Sequence, residues 1–139
     1  DGGVRIWDLR TGGGPPTNER KGVHEQQVTS IQLLPNEREI LTCGRDNVIR
    51  ILDCRTLEVS AEFSDPNFRV GTNWTNPCFS PNQSHIACGG ADGAVFIWSA
   101  IDHKLRTTLR AHDAVVATTT WSAYGLASCD KNGICILWS

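Results

Sequence analysis

Four stretches of the chain end in the same way: DGGVRIWD (Asp1–Asp8), DNVIRILD (Asp46–Asp53), DGAVFIWS (Asp92–Ser99) and NGICILWS (Asn132–Ser139). Each begins with residues that favour a tight turn and continues with the alternating apolar pattern of a β-strand. Their large apolar anchors are 45, 46 and 40 residues apart, at Trp7, Leu52, Trp98 and Trp138. The chain therefore repeats one structural unit, which a catalytic domain rarely does.

The repeat length predicts an all-β chain of the WD40 β-propeller type, because such blades recur about every 40–45 residues. Each blade contains four antiparallel strands and packs on its neighbours. The pattern predicts the end of one blade (1–21), two further blades (22–63 and 64–110) and an incomplete last blade (111–139). We expect these three blades and a remnant to belong to a ring of about seven blades, within the usual range.

Strand patterns inside the units are short, and turns separate them. The first unit keeps only its third strand, at Val4–Asp8, and continues into the Gly- and Pro-rich linker Thr11–Thr17, which cannot be a strand interior. The inner strand of the third unit is predicted at Asn73–Phe79. No segment repeats apolar residues at helical spacing over three turns, so no helix is predicted.

The composition excludes several kinds of partner. The 139 residues have a formal net charge of −2, which provides no general attraction for nucleic acid or anionic lipid. No apolar run approaches the ~18 residues of a membrane-spanning helix. We therefore predict a cytoplasmic chain with no nucleic-acid partner and no direct membrane insertion. Asp1 opens within a repeat, so the first residues carry no information on targeting.

The cysteines admit two interpretations. None of the six forms a CxxC pair or has the spacing of zinc ligands. Small thiols at the ends of packed strands favour reduced core cysteines, whereas an even number leaves disulfide or redox chemistry as the alternative. The residues are Cys43, Cys54, Cys78, Cys88, Cys129 and Cys135.

Polar residues recur inside the units in a pattern that predicts a structural hydrogen-bond network. In WD40 blades, a Trp on the third strand bonds a Ser or Thr on the second. That hydroxyl bonds a His before the first strand, and an Asp in the turn orients the His; such buried groups need partners. The network candidates are His24, Thr42 and Asp46 in the second unit, Asp92 and Trp98 in the third, and His112, Ser128 and Trp138 in the fourth, where Asn132 replaces the usual Asp.

No motif indicates catalysis. The four histidines lie in different units without HxxxH or HExxH spacing, so they do not predict a metal site. The serines lack the GxSxG elbow of hydrolases. The glycine runs Gly12–Gly14 and Gly89-Gly90 lack the GK[ST] ending of a phosphate-binding loop. We therefore predict no enzyme activity, no cofactor and no metal.

Two stretches, LTCGRDNVIRILDCRT and FSDPNFRVGTNWTNPCFSPNQSHIACGGADGAVFIWS, carry a more specific resemblance. The second contains the long insertion Phe63–Asn82, with Phe68-Arg69, Gly71 and Trp74 before Phe79-Ser80-Pro81. Together with Leu52-Asp53 in place of Trp-Asp, this pattern resembles the C-terminal WD40 domain of autophagy-related protein 16 in its animal-type form. The resemblance covers roughly residues 28–139.

The resemblance implies a non-catalytic adaptor. In that family, N-terminal regions bind the conjugation complex that lipidates Atg8-type proteins, and the propeller receives partners that direct lipidation to autophagosomal or endolysosomal membranes. None of the conjugation machinery is encoded in these residues. The alternative is a generic WD40 scaffold, for example a substrate receptor of a ubiquitin ligase or a subunit of an RNA-processing complex.

Propellers bind proteins and peptides mostly through surface loops at one rim, where the entry loops of the first strands and the turns between the second and third strands emerge. Because aromatic residues and Arg dominate interface hot spots, Phe68 and Trp74 are the sharpest predictions. For Trp74 the alternative is that it begins a strand and packs. We expect the double change of Phe68 and Arg69 to Ala to weaken binding without unfolding. The full set of partner-binding candidates is Glu25, Arg45, Phe68, Arg69, Trp74, Asp113 and Lys131.

Overall fold

The computed structural model describes residues 1–139 and contains thirteen β-strands, one 3-10 turn at Leu9–Thr11 and no α-helix, which confirms the all-β prediction. The strands form four antiparallel sheets. The first sheet holds β1 (Val4–Ile6) and β2 (Asn18–Arg20); the second β3 (Val28–Leu33), β4 (Glu39–Gly44), β5 (Ile49–Asp53) and β6 (Val59–Phe63); the third β7 (Cys78–Phe79), β8 (His85–Gly89), β9 (Ala94–Ser99) and β10 (Leu105–Arg110); the fourth β11 (Val116–Ser122), β12 (Gly125–Asp130) and β13 (Cys135–Trp138).

Each sheet pairs its strands in chain order, as short hairpin connections favour. In the first sheet, β2 pairs antiparallel with β1 after the Gly- and Pro-rich linker, and Val4 lies opposite Arg20. The sequence had assigned only one strand to this unit. β2 is an outer strand of three polar residues (Asn18–Arg20), and a segment so short and polar lacks the apolar alternation that marks a strand.

Strand register shows that the three larger sheets are built alike. Ile40 lies opposite Leu52, Ile86 opposite Trp98, and Leu126 opposite Trp138. Two residues further along the second strand, the same register pairs Thr42 with Arg50, Cys88 with Phe96, and Ser128 with Ile136. The repeated anchors of the sequence thus occupy one structural position, and any two sheets can be compared residue by residue.

Apolar side chains pack between neighbouring sheets. The largest cluster joins the second and third sheets and includes the fully buried Phe63, Phe96 and Trp98. A second cluster joins the third and fourth sheets around Val95 and Val116. A third cluster joins the first and second sheets and includes Val4, Val23, Ile40, Leu52 and Leu57. The sheets therefore stack face to face as propeller blades do.

The inner strand of the third sheet differs from its prediction. The strand expected at Asn73–Phe79 is reduced to β7, and the residues before it form a turn and a single parallel bridge from Asn76 to Thr118 of the next sheet. A groove of about 370 Å³ runs along β3, β7 and β11 on the inner side of the sheets. The three inner strands thus border one common space.

Candidate functional site

The ends of β4, β8 and β12 lie at one end of the sheets, together with the turns Gly44–Asn47, Gly90–Gly93 and Asp130–Gly133. We call this end the loop face. Each of the three turns is closed by a backbone hydrogen bond from the N–H of its last residue to the carbonyl of its first. The donor–acceptor distances are 3.1 Å in the second sheet, 3.4 Å in the third and 3.2 Å in the fourth. These turns are surface loops on a rigid scaffold, the kind of position that carries binding function.

One cation from each sheet takes part in a matching backbone bond of the loop face, Arg45 and Lys131 as donors from the turn and Arg69 as the acceptor from the entry loop. The backbone bonds Arg45 N to Gln27 O (2.8 Å), Ala91 N to Arg69 O (2.8 Å) and Lys131 N to Val115 O (3.0 Å) occupy the same place in the three sheets. Each bond therefore contains one Arg or Lys. We call Arg45, Arg69 and Lys131 the cationic strip. None of the three takes part in an ion pair.

Direct contacts join the strip across the sheets. The Arg45 guanidinium donates from Nη1 to the Val70 carbonyl at 2.8 Å, which links the second sheet to the third. Gly71 approaches the fourth sheet so closely that an added Cβ would lie 2.3 Å from Val115 Cγ1. A larger residue than glycine would separate these sheets. The strip is consequently one continuous surface, with Arg69 and Lys131 exposed and Arg45 half-buried.

Trp74 lies on an insertion that only the third sheet has. The length of the segment between the loop-face bond and the inner strand can be compared at inner-strand residues that lie opposite the same second-strand position. In the second and fourth sheets this segment advances five residues, from Gln27 to Gln32 and from Val115 to Thr120. The third sheet needs nine (Arg69 to Cys78). The extra residues form the turn that carries Trp74, whose side chain is 63% exposed. Trp74 therefore neither begins a strand nor packs in the core.

Two buried threonines hold the Trp74 turn in place. The hydroxyls of Thr72 and Thr75 lie 2.9 Å apart, and Trp74 N donates to Thr72 Oγ1 at 3.3 Å. Thr29 of the second sheet donates from Oγ1 to the Thr75 carbonyl at 2.7 Å. The indole is thus exposed on a turn whose backbone is fixed from below. A large aromatic side chain held in this way loses little entropy when it binds a partner.

Phe68 is a correction to the sequence-based docking set. Its side chain is 0% exposed and packs edge-to-face on Phe96 and Trp98, with ring centroids 5.3 Å and 5.1 Å away. Phe68 is therefore a core residue and cannot contact a partner in this structure. Its neighbour Arg69 stays exposed and donates from Nη1 to the Phe68 carbonyl at 2.7 Å. The Phe-Arg pair thus divides into one packing residue and one surface residue.

The acidic candidates Glu25 and Asp113 are both exposed, and each directly follows a buried histidine. Glu25 N donates to Asp46 Oδ2 at 3.2 Å, so the second-sheet loop is tied to the turn beneath it. Neither carboxylate pairs with a cation of the strip, since no ion pair within 4.0 Å joins them. The loop face therefore carries unpaired charges of both signs, with the cations next to the inner strands.

A buried polar cluster supports the loop face in the second sheet. His24 lies between Asp46 Oδ1, 2.8 Å from Nδ1, and Thr42 Oγ1, 2.9 Å from Nε2. Arg50 donates from Nη1 to Asp46 Oδ2 at 2.8 Å, a contact that the sequence analysis missed. Burial lowers the pKa of His24. Burial opposes ionisation of Asp46, but hydrogen bonds from Arg50 and His24 outweigh it and lower the pKa of Asp46.

In the fourth sheet the network has a different acid from the one that the sequence suggested. Trp138 Nε1 donates to Ser128 Oγ at 2.8 Å, and Ser128 Oγ lies 2.7 Å from His112 Nε2. The carboxylate that bonds His112 Nδ1, at 2.9 Å, belongs to Asp130. Asn132, expected in this role, is exposed. Burial opposes ionisation of Asp130, but hydrogen bonds from Ile134 N and His112 lower the pKa of Asp130.

The exchange of acids depends on one residue position. Asp130 of the fourth sheet occupies the position that Gly44 has in the second sheet. Asp130 lies opposite Val116, just as Gly44 lies opposite Val28. A Cβ at Gly44 would lie 2.2 Å from His24 Nδ1 and 2.5 Å from Asp46 Oδ1. The second sheet therefore needs glycine there to admit the Asp46 carboxylate from the turn, whereas the fourth sheet supplies the carboxylate from that position itself.

The third sheet has no such network. Asp92 forms an exposed ion pair with Arg110, at 2.9 Å, and bonds Ala94 N. Trp98 is fully buried, and its Nε1 donates to the Ser64 carbonyl at 3.3 Å rather than to a second-strand hydroxyl. Cys88 occupies the hydroxyl position and Phe96 the position of Arg50. Aromatic packing thus replaces hydrogen bonding at this level of the third sheet.

Comparison with known proteins agrees with the fold and the repeats. The WD40 family (WD domain, G-beta repeat) matches residues 19–53 and 75–99. Autophagy-related protein 16 of Arabidopsis thaliana is 38% identical over 141 residues, which cover 100% of this chain and 27% of that protein. Protein tipD of Dictyostelium discoideum is 37% identical over 99% of this chain and 23% of its own length. The human protein Atg16l2 is 33% identical over 81% of this chain and 19% of its own length.

This chain is part of a WD40 domain similar to that of autophagy-related protein 16. The resemblance inferred from the sequence is thereby confirmed. The WD40 chain spans about a quarter of the length of these curated relatives. No helix in this WD40 structure is both long and apolar enough to cross a lipid bilayer.

Proposed function

We propose that this chain is part of a non-catalytic, autophagy-related scaffold that docks partner proteins on its loop face through Trp74 and the cationic strip. The observation that carries the proposal is the insertion in the third sheet. It exposes a tryptophan on a turn fixed by Thr72 and Thr75, although the corresponding inner strands have no insertion. The indole on this four-residue extension is exposed and does not pack in the core. Trp is also enriched among binding hot spots.

Charge indicates the chemistry of the partner. The strip presents three cations without ion-pair partners, and the segment between Arg69 and β7 carries the exposed indole of Trp74. An acidic segment with an apolar side chain would pair with these cations and cover Trp74. Complementary charge of this kind raises association rates and fixes orientation more than it raises affinity. The relatives lead us to propose further that the protein is cytoplasmic, and that the docked partner selects the autophagosomal or endolysosomal membrane at which Atg8-type lipidation takes place. The conjugation complex itself would bind regions outside this chain.

A matched pair of charge variants tests the docking surface. The first changes Arg69 and Lys131 of the loop face to Ala; the second changes Arg55 and Lys104, which are exposed at the opposite end of the sheets. Both remove one Arg and one Lys, so net charge changes equally. Proximity labelling in cells that express each variant identifies neighbouring proteins. We expect the first variant and Trp74→Ala to lose the same neighbours, and the second variant to keep them.

Controls separate docking from folding and from charge alone. Tyr124, 92% exposed in the β11–β12 turn, provides an aromatic control through Tyr124→Ala. Partner binding that depends on the strip should also weaken as salt rises, because exposed charges are screened over about 8–10 Å at physiological ionic strength. Equal loss of neighbours from both ends, or no loss from Trp74→Ala in a folded protein, would rule out docking at the loop face.

A further inference from the structure

A pocket lies at the end of the sheets opposite to the loop face, which we call the base face. The pocket has a volume of about 360 Å³ and lies between the turn that joins β7 to β8 and the turn that joins β11 to β12. Its lining includes the side chains of Asn82, Ser84, His85 and Trp121. Ligand pockets begin at about this volume. The docking surface proposed above lies at the other end of the sheets and does not involve this pocket.

The fourth sheet has a shorter turn at the base face than its neighbours. In the second and third sheets, four residues lie between the ends of the first two strands, Pro35–Arg38 and Pro81–Ser84, and a backbone bond closes each turn. In the fourth sheet only Ala123-Tyr124 separates the paired strand ends. A turn two residues shorter covers less of the space beside Trp121, which is half-buried rather than buried.

Both walls of the pocket belong to sheets that pack on each other. Thr119 donates from Oγ1 to the Ala87 carbonyl of the third sheet at 3.3 Å, and Trp121 is on the same face of β11 because side chains alternate along a strand. The rings of Trp121 and His85 lie 6.4 Å apart between their centroids. The matching turn of the second sheet, Pro35–Arg38, is also exposed, although the third sheet follows it. Exposure at the base face is therefore a property of these turns in every sheet.

The pocket is aromatic and uncharged. No Asp, Glu, Lys or Arg lines it. The indole nitrogens of Trp98 and Trp138 donate within the protein, whereas Nε1 of Trp121 donates to no protein atom. Asn82 Oδ1 accepts from Ser84 Oγ at 2.7 Å, which leaves the amide nitrogen of Asn82 as a second available donor. A ligand that fits this lining is neutral, has flat apolar groups and presents hydrogen-bond acceptors.

We propose that the base pocket binds a neutral, proline-containing segment of a partner protein in the polyproline II conformation. Segments of this kind dock in aromatic-lined grooves. Their backbone has no internal hydrogen bonds, so its carbonyls are free to accept from Trp121 Nε1 and Asn82 Nδ2. Proline rings would pack against the indole and against His85. Because proline has no N–H, the segment requires few acceptors from the pocket.

The charge of the lining separates this ligand from the one proposed for the loop face. An acidic segment would lose solvation in the base pocket without gaining a cation, and a basic segment would gain no carboxylate. The cationic strip, by contrast, favours an acidic segment. The two ends of the sheets would therefore bind different partner segments, and both could be occupied at once.

Fluorine NMR of the full-length protein labelled with fluorotryptophan tests the pocket, because different indoles report on the two faces. The probe is an oligoproline peptide of about ten residues, which forms about three turns of polyproline II. A Gly-Ser peptide of the same length is the flexible control. We expect oligoproline to shift the Trp121 resonance, which is assigned by its loss in Trp121→Phe, and to leave the Trp74 resonance unchanged. The Gly-Ser peptide should shift neither.

Variants identify the groups that bind, with the Trp121 shift titrated to give the affinity. Asn82→Asp keeps the oxygen that accepts from Ser84 and removes the donor. We expect about three- to tenfold weaker binding, as for the loss of one hydrogen bond. Replacing Ala123-Tyr124 by Pro-Asn-Gln-Ser, the turn sequence of the third sheet, should fill the pocket and abolish the shift. Trp74→Ala should bind oligoproline as the unmodified protein does.

Three results would overturn the proposal. The first is that oligoproline leaves the Trp121 resonance unchanged, and the second is that the Gly-Ser peptide shifts it equally. The third is that the protein with the longer turn is folded and still binds oligoproline with native affinity. Should the longer turn prevent folding, Asn82→Asp decides: weaker binding supports the base pocket, and unchanged affinity overturns it.

Discussion

The second and third sheets fill the same position with opposite chemistry. In the second sheet, Thr42 and Arg50 face each other and form a buried polar cluster with His24 and Asp46. In the third sheet, Cys88 and Phe96 take the same places, and Phe68 completes an aromatic cluster. No buried side-chain nitrogen or oxygen in the structure lacks a hydrogen-bond partner. The fold thus requires a filled and satisfied interior, and either chemistry supplies it.

The largest expected effect on the free energy of unfolding comes from disrupting the aromatic cluster of the third sheet. Phe68→Ala removes a fully buried ring from the contacts with Phe96 and Trp98. Such truncations leave a cavity and typically cost about 3–5 kcal/mol in the free energy of unfolding. Urea unfolding measures the loss. Trp74→Ala is the control, because an exposed side chain away from the core usually changes stability by less than about 0.5 kcal/mol.

This expectation replaces the one drawn from the sequence, that a change at Phe68 and Arg69 spares folding. Equal stability of Phe68→Ala and the unmodified protein would show that the aromatic cluster does not support the third sheet. Arg69→Ala alone is expected to leave the unfolding midpoint unchanged, since Arg69 is exposed and forms no ion pair. The two residues of the Phe-Arg pair should therefore separate cleanly into a stability effect and a binding effect.

Disrupting the buried polar cluster of the second sheet should lower the free energy of unfolding somewhat less. Asp46→Ala removes the carboxylate that bonds both His24 and Arg50 and leaves the largely buried guanidinium with only Glu62 as an ionic partner. Loss of one partner of a buried ion pair costs about 3 kcal/mol or more, and remaining contacts reduce this. Asp92→Ala is the matched control at the equivalent turn position. Its exposed pair with Arg110 predicts a loss of less than about 1 kcal/mol. Equal losses at Asp46 and Asp92 would contradict the comparison.

The fourth sheet sharpens the comparison further, because two residues compete for the same role. Asp130→Asn removes the carboxylate that bonds His112, whereas Asn132→Ala changes an exposed turn residue. We expect the first change to lower Tm by several degrees and the second to leave Tm unchanged. Thermal unfolding followed by tryptophan fluorescence measures both, since Trp138 belongs to the same network. A larger fall for Asn132→Ala would restore the role that the sequence had suggested.

Sequence patterns captured the repeat but not the replacement of one contact by another. The turn-plus-strand endings define the sheets because alternation and turn residues are local signals. The acid of the fourth sheet was misassigned because matching Asn132 to Asp46 follows turn position. The side chain that reaches His112 comes from two residues earlier, where the second sheet has Gly44. That substitution of Asp for Gly beside the network was the available signal.

The docking surface was only partly accessible to sequence reasoning. Phe68 looked like a loop aromatic because its burial depends on Phe96 and Trp98, almost thirty residues further along the chain. The insertion itself was recognised in the sequence as Phe63–Asn82, but only the register of β7 against β8 showed that its extra residues form the turn that carries Trp74. That Arg45, Arg69 and Lys131 take part in matching backbone bonds of the three sheets likewise emerged only from the structure. Such contacts are long-range, and no local pattern encodes them.

The smallest expected effect is a pH dependence of the free energy of unfolding, which the buried polar cluster of the second sheet should produce and the aromatic cluster should not. Burial lowers the pKa of folded His24 below the value of about 6.5 that an unfolded His has. The unfolded state therefore takes up a proton first as pH falls, so the free energy of unfolding decreases below about pH 6.5 until folded His24 also protonates. The contribution of His24 to stability is complete above that pH, and its limiting slope is about 1.4 kcal/mol per pH unit.

Urea unfolding measures this slope for the unmodified protein and for His24→Gln. The pH is varied between about 7.5 and about 5, a range that brackets the His pKa. We expect a shallower slope in the variant, whatever its absolute stability. Identical slopes would mean that proton uptake at His24 is the same in both states, and that the buried cluster of the second sheet does not exclude charge from the imidazole.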